Sequence, residues 1–561
     1  MAALGWDYVD VVLVTGDAYI DHPSFGIAVI GRWLEAHGFR VAILSQPRHD
    51  RPDDFASFGR PRLFFGISSG NLDSIVANYT GNARIRKKDM YSPLGNPYRG
   101  DERSRVSRRR PDRACIRYAN LARAACPGVP VILGGIEASL RRFIHYDYQQ
   151  ERLRNSVLVD SKADLLVYGM GERAVLEVAR RIDAGNQPRN IPGTCERITE
   201  RQFRQLRAEH TISELPSWHE IHERIEKFLD AELTIDANSR SARAKILVQK
   251  QHGGMYVWQN VPVRPCSSRE LDGIYDLPFT RATHPGFTDV PAYRMIRHSI
   301  TTVRGCSGNC SFCAISRHQG PVVVSRSQES VLKEVRKVVS MPDFRGTITD
   351  LGGPTANLYG VRCRRAYRCN RKDCLFPEIC THLETDGSAF ISLLENARDI
   401  QGVRHLFISS GLRMDLLLET PRLLKKILKD HVPGVLKIAP EHTEDEVLYL
   451  MHKPGRKVLE EFLKTARQMS REMKKKLKIT AYLIASHPGC ELHHMRAMKK
   501  RLLKLDLPVR QFQDFTPTPG TISTAMYVTG LDRYKKKPVF VARNRKARMA
   551  QRRILESGMK N

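Results

Sequence analysis

Apolar positions along this chain fall into two alternating rhythms. Short runs rich in branched residues (Val11-Val-Leu-Val, Val41-Ala-Ile-Leu, Leu63-Phe-Phe-Gly-Ile, Val129-Pro-Val-Ile-Leu-Gly-Gly and Asp164-Leu-Leu-Val-Tyr-Gly) predict buried parallel strands. Phe25 to Glu35 has helical periodicity and runs into His37-Gly38, where glycine suits a left-handed cap. Residues 1–183 therefore read as a doubly wound α/β domain, whose ligand crevice beyond the strands' carboxyl ends would be rimmed by Thr15, Gly16, Ser69, Gly134, Gly135 and Gly169. Across residues 184–291 the rhythm weakens. A polar helical stretch from Glu200 to Arg243, the β-like pieces Lys245-Ile-Leu-Val-Gln and Met255-Tyr-Val-Trp, and a proline-punctuated segment from Pro262 to Pro291 predict a connector with a small core. In residues 292–530 the alternation resumes, with strands expected at Ser299-Ile-Thr-Thr-Val, Thr347-Ile-Thr-Asp-Leu, His405-Leu-Phe-Ile-Ser, Val435-Leu-Lys-Ile-Ala, Ile479-Thr-Ala-Tyr-Leu-Ile and Val509-Arg-Gln-Phe-Gln-Asp-Phe. Helices are expected at Gln328 to Val339, Ile391 to Asp399 and Val458 to Lys474. Six such units suggest a partial (β/α)6 barrel of TIM-like type, with residues 531–561 as a basic tail.

Composition narrows the class. The 41% apolar content belongs to a globular protein, and neither a leader pattern nor an apolar run of membrane-spanning length is present, so the chain reads as cytoplasmic with no membrane partner. A formal charge of +31 attracts polyanions. The basic residues gather between Arg84 and Arg113, in Lys474-Lys-Lys, Lys499-Lys-Arg and Lys504, and from Arg533 to Arg553; the simplest account is solvated helix faces and a loose tail. Aromatic residues are not interleaved with these runs as single-strand binding platforms require, so nucleic acid is a partner that the charge permits and no motif demands.

The chemistry concentrates in cysteines. Seven of the twelve lie between Cys306 and Cys380, which points to metal ligation in a reducing compartment rather than a disulfide scaffold. Cys306, Cys310 and Cys313, in Arg304-Gly-Cys-Ser-Gly-Asn-Cys-Ser-Phe-Cys-Ala, supply three thiolates on one short loop. Three thiolates hold three corners of a 4Fe-4S cubane and leave the fourth iron open to a ligand. The loop follows the first barrel strand, at the carboxyl end where barrel chemistry gathers. Other strand ends offer Gly352 and Gly353, then Ser409, Ser410 and Arg413, then Lys437 and Glu441, then His487. Cys363, Cys369, Cys374 and Cys380 form a second group, sufficient for zinc or another iron–sulfur cluster, with Arg364-Arg-Ala-Tyr-Arg and Arg371-Lys between them to favour thiolate charge; separate fates for the four are the alternative, since none of the gaps is CxxC. Cys115, Cys126, Cys195, Cys266 and Cys490 are isolated and read as structural.

The CxxxCxxC triplet with Phe312 before its last cysteine resembles the signature of radical S-adenosylmethionine (SAM) enzymes. Gly352-Gly353 is similar to their motif for the SAM amino group, with Pro354 where glutamate is common. The order of Gly134-Gly-Ile-Glu-Ala-Ser-Leu-Arg-Arg-Phe-Ile-His-Tyr-Asp-Tyr, the triplet, Asp350-Leu-Gly-Gly-Pro-Thr-Ala-Asn, the four-cysteine group, Ser410-Gly-Leu-Arg-Met-Asp, Lys437-Ile-Ala-Pro-Glu-His and Phe515-Thr-Pro-Thr-Pro-Gly-Thr resembles the YgiQ family of radical SAM proteins over nearly the whole chain. That resemblance implies a 4Fe-4S cluster and exchangeable SAM, reductive cleavage to a 5′-deoxyadenosyl radical, and an electron donor such as flavodoxin or ferredoxin. It carries no substrate. The N-terminal domain looks like the Rossmann-like cobalamin-binding domain that precedes many such barrels. Its histidine motif DxHxxG is absent, however, the nearest stretch being Asp21-His-Pro-Ser-Phe-Gly, so cobalamin is not expected. The competing reading from another class is a nucleic-acid-associated iron–sulfur protein that senses redox state without turnover.

Overall fold

A computed structural model describes residues 1–100, 103–241, 243–365, 369 and 373–556. Strands β1 (Val11–Thr15), β2 (Val41–Ser45), β3 (Phe64–Ser68), β4 (Val131–Leu133) and β5 (Leu165–Val167) lie parallel in the order β2-β1-β3-β4-β5. Every residue of β1, four apolar side chains and Thr15, is buried, as it must be when helices cover both faces. Helices α1 (Gly26–Glu35) and α4 (Glu172–Asp183) close one face over Leu13, Leu34 and Val178, while α2 (Ala114–Ala125) and α3 (Gly135–Leu140) close the other over Val12, Phe65 and Tyr118. This is the doubly wound pattern that the apolar runs predict.

The segment from 184 to 291 adds four strands to that sheet. β6 (Thr194–Ile198), β7 (Ile212–Glu214), β8 (Ile246–Lys250) and β9 (Tyr256–Gln259) extend it as β5-β6-β9-β8-β7, antiparallel except for β8 with β7. It also keeps a core of its own, Ile198, Phe203, Val248, Tyr256 and Trp258. The helix α5 (Glu226–Arg240), polar to the eye, buries Phe228, Leu229, Glu232, Ile235 and Asp236.

The barrel strands follow as β10 (Ser299–Thr301), β11 (Thr347–Ile348), β12 (Asp350–Gly352), β13 (His405–Leu406), β14 (Val435–Glu441), β15 (Lys478–Ala485) and β16 (Val509–Asp514), with β11 and β12 splitting the second expected strand at Thr349. β10 pairs with β12, β11 with β13, and β14-β15-β16 form a ladder, all parallel. Helices α6 (Ile315–Gln319), α7 (Gln328–Val339), α8 (Ser388–Arg398), α9 (Pro421–Asp430), α10 (Arg456–Glu472) and α11 (Leu492–Lys504) alternate with them, and α12 (Ile522–Thr529) packs against α5. One apolar core joins the barrel to Ile75, Tyr79, Tyr146 and Tyr148 of the N-terminal domain, so the two are seated on each other.

Part of the basic charge is structural. Arg110 is buried between Asp17 (2.5 Å) and Asp89 (3.1 Å) beyond the end of β1, Arg108 pairs with Asp112 at 2.9 Å, and Arg113 with Asp147 at 2.8 Å. The C-terminal segment is not loose up to Glu556: α13 (Arg545–Glu556) docks on the barrel, where buried Arg548 donates to Gly81 O (2.8 Å) and Ala542 O (2.9 Å), and Arg552 pairs with Asp514 at 3.1 Å. The remaining residues of the expected tail, 557–561, lie outside the described residues. Among the described residues no helix is long and apolar enough to cross a membrane.

Candidate functional site

The cysteine loop is set by its glycines. Val303–Arg304 pairs antiparallel with Val324–Ser325, and the chain then turns at Gly305 with φ +80°, where any side chain would collide with Val322 O. At Gly308 a Cβ would stand 2.7 Å from Arg413 Nη1, so the missing side chain is what lets this guanidinium reach the loop. The Gly308 N–H points at Cys306 Sγ (3.4 Å), and the Cys313 N–H donates to Cys310 O (3.1 Å) before α6 begins. Phe312 meets His487 edge-on, 6.3 Å between ring centres.

Burial pushes the Cys310 thiol up while Lys453 and Arg413 oppose it; the Cys313 thiol is pushed up to about 12, by burial and then by its cysteine neighbours. Three thiols crowded on one loop are costly as bare thiolates and become favourable when iron takes them, with the two cations offsetting the remaining charge. The donor set thus fits a 4Fe-4S cluster. Burial works against the Arg413 charge, but Asp415 outweighs it, its Oδ1 accepting from Arg413 Nε at 3.1 Å.

A carboxylate clamp that the linear pattern does not reveal holds the loop from outside. Asn309 donates to Asp236 Oδ2 (3.2 Å) and to Asp373 Oδ1 (2.9 Å), and Arg533 donates to Ser311 Oγ (2.8 Å). Asp236, on α5, also pairs with Arg317 at 2.9 Å and Arg240 at 3.0 Å. Arg304 reaches Glu172 of the N-terminal domain (2.5 Å) and Tyr275 OH of the connector (3.1 Å). On α6, His318 Nδ1 lies 3.0 Å from Ser139 Oγ, and the Gly169 N–H donates to the same hydroxyl at 3.0 Å. The segments that follow β4 and β5 therefore meet α6, the helix that follows the cysteine loop. Such partners are distant in sequence and sit among polar residues, so neither spacing nor periodicity marks them.

The other expected residues divide. A Cβ on Gly352 would be 2.5 Å from Ser410 Oγ and one on Gly353 2.6 Å from Val303 O, so the glycine pair lets three barrel strands close on each other beside the loop. Ser409 is turned to the second strand, its N–H donating to Asp350 Oδ1 (2.8 Å) and its hydroxyl to Thr349 O (2.8 Å). Glu441 ends β14 at φ +68°, a conformation that a non-glycine residue holds only under constraint from its surroundings. It is buried, with Oε2 lacking a hydrogen bond, Oε1 3.8 Å from Lys453 Nζ, and a carboxyl pushed up by burial against the pull of Lys453. Lys437 lies exposed on the same strand. His487 is held neutral, its pKa pushed down to about 3 by burial, with Nε2 2.7 Å from Ser523 Oγ. Lys453 is the residue that sequence reasoning missed here; only its position after the Glu441 strand could have suggested it.

Cys363, Cys374 and Cys380 are brought to one two-stranded ribbon with Cys369 nearby, whereas Arg368, Arg371 and Lys372 lie outside the described residues. Among the described residues no cysteine is joined in a disulfide, and no group of three or more His, Cys, Asp or Glu side chains stands ready to hold a metal ion.

Residues 1–299 match the family model described as Radical SAM N-terminal, and residues 300–501 the one described as Radical SAM superfamily. Proteins named UPF0313 align along nearly the whole chain. One from Methanosarcina acetivorans is 43% identical over 99% of this chain and 77% of its own, one from Geobacter sulfurreducens 45% over 98% and 90%, and one from Thermotoga maritima 45% over 98% and 95%. In fold the chain is similar to TsrM of Kitasatospora setae, a radical SAM methyltransferase solved with tryptophan and aza-SAM: TM-score 0.50, 16% identity, 91% of this chain and 74% of that one. Another TsrM structure holds cobalamin and a [4Fe-4S] cluster, with TM-score 0.49, 16% identity, and 91% and 76% coverage. The expectation against cobalamin is withdrawn, because residues 1–299 match the Radical SAM N-terminal model as a whole. In an open α/β sheet the ligand crevice is made by the strand ends rather than by one histidine, so the missing DxHxxG motif does not count against the cofactor.

Proposed function

This chain belongs to the UPF0313 family of radical SAM proteins, the YgiQ family, and is an iron–sulfur enzyme that cleaves SAM; from that premise we propose that Cys306, Cys310 and Cys313 hold its cluster and that the polar groups around them hold SAM. The bound cluster supplies the electron that splits SAM into methionine and a 5′-deoxyadenosyl radical. Arg413 and Lys453 balance the thiolate charge, Arg413 being fixed in place by Asp415 and by the gap at Gly308. The Gly352 and Gly353 backbone would hold the SAM amino-acid end, with Ser409 bracing the second strand beside it through Asp350 and Thr349, Lys437 would meet its carboxylate, and Glu441 would accept a hydrogen bond from a SAM hydroxyl. Asp236, Asp373 and Glu172 position the loop without touching the ligand. The observation that carries this reading is the unpartnered carboxylate oxygen of Glu441, buried beside Lys453 on the same side as the thiols.

Electron paramagnetic resonance of the reduced, reconstituted protein tests it. Adding SAM should alter the cluster signal. Glu441→Gln should keep the iron but need roughly tenfold more SAM, the cost of one lost charge-assisted hydrogen bond, and a signal indifferent to SAM at all concentrations overturns the assignment.

The division at 183, 291 and 530 serves this reading as sheet domain, connector, barrel and C-terminal segment. A small acidic donor of flavodoxin or ferredoxin type suits the +31 charge, and nucleic acid is the second partner class that suits the exposed run Arg84 to Lys88. Cysteines outside any disulfide among the described residues favour the reducing cytoplasm.

A further inference from the structure

The run Lys535-Lys-Lys, whose sequence suggests a loose tail, is the tip of a hairpin. Leu531 pairs antiparallel with Pro538, the Asp532 N–H donates to Lys537 O (2.9 Å) and the Val539 N–H to Gly530 O (2.8 Å). The Asp532 carboxylate closes the tip, accepting from the N–H groups of Tyr534 (2.8 Å), Lys535 (2.7 Å) and Lys537 (2.7 Å). Lys536 reaches Asp230 at 2.5 Å, and Lys535 and Lys537 are exposed.

Beside the lysines an aromatic group leads from the surface to the cysteine loop. Tyr449, on the short helix Asp445–Leu450, is 47% exposed, and its ring centre lies 4.3 Å from that of Tyr534. Tyr534 OH stands 3.2 Å from Tyr449 O and 2.6 Å from His452 Nδ1, and Phe376 packs on His452 with 3.9 Å between ring centres. Both inner residues adjoin the loop. Met451 O, one residue before His452, accepts from the Ser311 N–H (2.9 Å), and Arg533, one residue before Tyr534, donates to Ser311 Oγ (2.8 Å). Ser311 follows Cys310, so a single layer of rings separates exposed Tyr449 from the loop that bears the thiols.

An exposed ring rimmed by cations is the make-up of a docking surface, the ring giving a desolvated anchor and the charges steering the approach. A nucleic-acid strand also suits lysines and rings, but only an electron carrier gains from rings that run inward to the loop. On the reading of Cys306, Cys310 and Cys313 as cluster ligands, we propose that Tyr449 and Tyr534, rimmed by Lys535 and Lys537, are where a small acidic one-electron carrier docks to reduce the cluster. One electron leaves the carrier's reduced centre and arrives at the cluster; the rings end neither oxidised nor reduced, and no bond is made or broken.

Flavodoxin is the probe. Titration of its oxidised form into the full chain reads binding, and stopped-flow absorbance reads reduction of the cluster by its reduced form. Lys535→Glu/Lys537→Glu and, separately, Tyr449→Ala should each weaken binding about tenfold at low salt and slow reduction at sub-saturating flavodoxin to match. Release of 5′-deoxyadenosine driven by dithionite, which needs no docking, should stay at the level of the unaltered chain. Lys474→Glu/Lys476→Glu, the same change of charge on another exposed run, should leave binding within about twofold. Undiminished binding in both patch variants overturns the proposal. So does a loss in Lys474→Glu/Lys476→Glu as large as theirs, or a Lys535→Glu/Lys537→Glu variant that loses retention on RNA and keeps its affinity for flavodoxin. An unaltered chain that yields no 5′-deoxyadenosine with dithionite tells instead against the cluster reading, while the docking is still decided by the binding.

Discussion

Asp236 is a buried carboxylate that burial alone would neutralise, yet Arg317, Arg240 and Arg533 outweigh that penalty and hold it well below the usual carboxylate range. It remains charged and so can grip Asn309 in the cysteine loop. Asp236→Asn leaves buried guanidinium groups unpaired and should destabilise the fold by about 3–5 kcal/mol, read by denaturant unfolding, with cluster iron lost faster to a chelator. An unchanged unfolding midpoint and iron half-life would remove Asp236 from the account. One turn earlier on α5, Glu232 has the opposite balance: burial raises its pKa from 4.5 to about 7, with Arg317 and Arg142 opposing. The folded protein therefore binds that proton more tightly than the unfolded chain, so its contribution to stability falls as pH rises from 4.5 to about 7 and is level above. Glu232→Gln should gain up to about 3 kcal/mol at pH 8 and almost nothing at pH 4; an equal effect at both pH values would contradict this. Cysteine spacing is local, which is why the triplet can be read from the chain. Asp236 takes its meaning from Arg317, Arg533 and Asn309, which only folding brings to it.

Strands rich in apolar residues announce themselves, and β1, β3, β14 and β15 lie within a residue or two of the predicted runs. β6 does not, because Thr194-Cys-Glu-Arg-Ile carries two charged residues; Glu196 is satisfied in the sheet by the Asn190 N–H (2.7 Å) and the Asn260 amide (2.8 Å), so burial follows from partners rather than from hydropathy. The same holds for α13, whose arginines read as a solvated tail until Arg548 is seen buried among carbonyl oxygens. A chain ending at Asn544 should lose about 3–5 kcal/mol, from the buried Leu555 together with the unmet acceptors at Gly81 and Ala542. Thermal unfolding checks this, and a midpoint equal to that of the full chain would return α13 to the status of a tail. The glycine pair makes a sharper case, since Gly353→Ala sets a methyl 2.6 Å from Val303 O, where backbone rather than a flexible side chain must yield. Iron content after reconstitution should fall with it.

At the scale of the molecule, the N-terminal sheet, the connector helix α5 and the barrel meet at the cysteine loop, each through a named ion pair or hydrogen bond. That convergence takes part of the arginine of a +31 chain inside, with Arg304 paired to Glu172 and Arg317 to Asp236. The surface charge that remains should make electron delivery by an acidic protein donor fall steeply as salt rises, measured as the rate of cluster reduction; a rate unchanged between low and moderate salt would contradict electrostatic docking. The central claim is that this loop carries an open iron at which SAM is cleaved. The most direct measurement is 5′-deoxyadenosine released from cluster-loaded protein given dithionite and SAM: the account predicts release by the unaltered chain and none by Cys310→Ala, and a full cluster that yields no 5′-deoxyadenosine would contradict it.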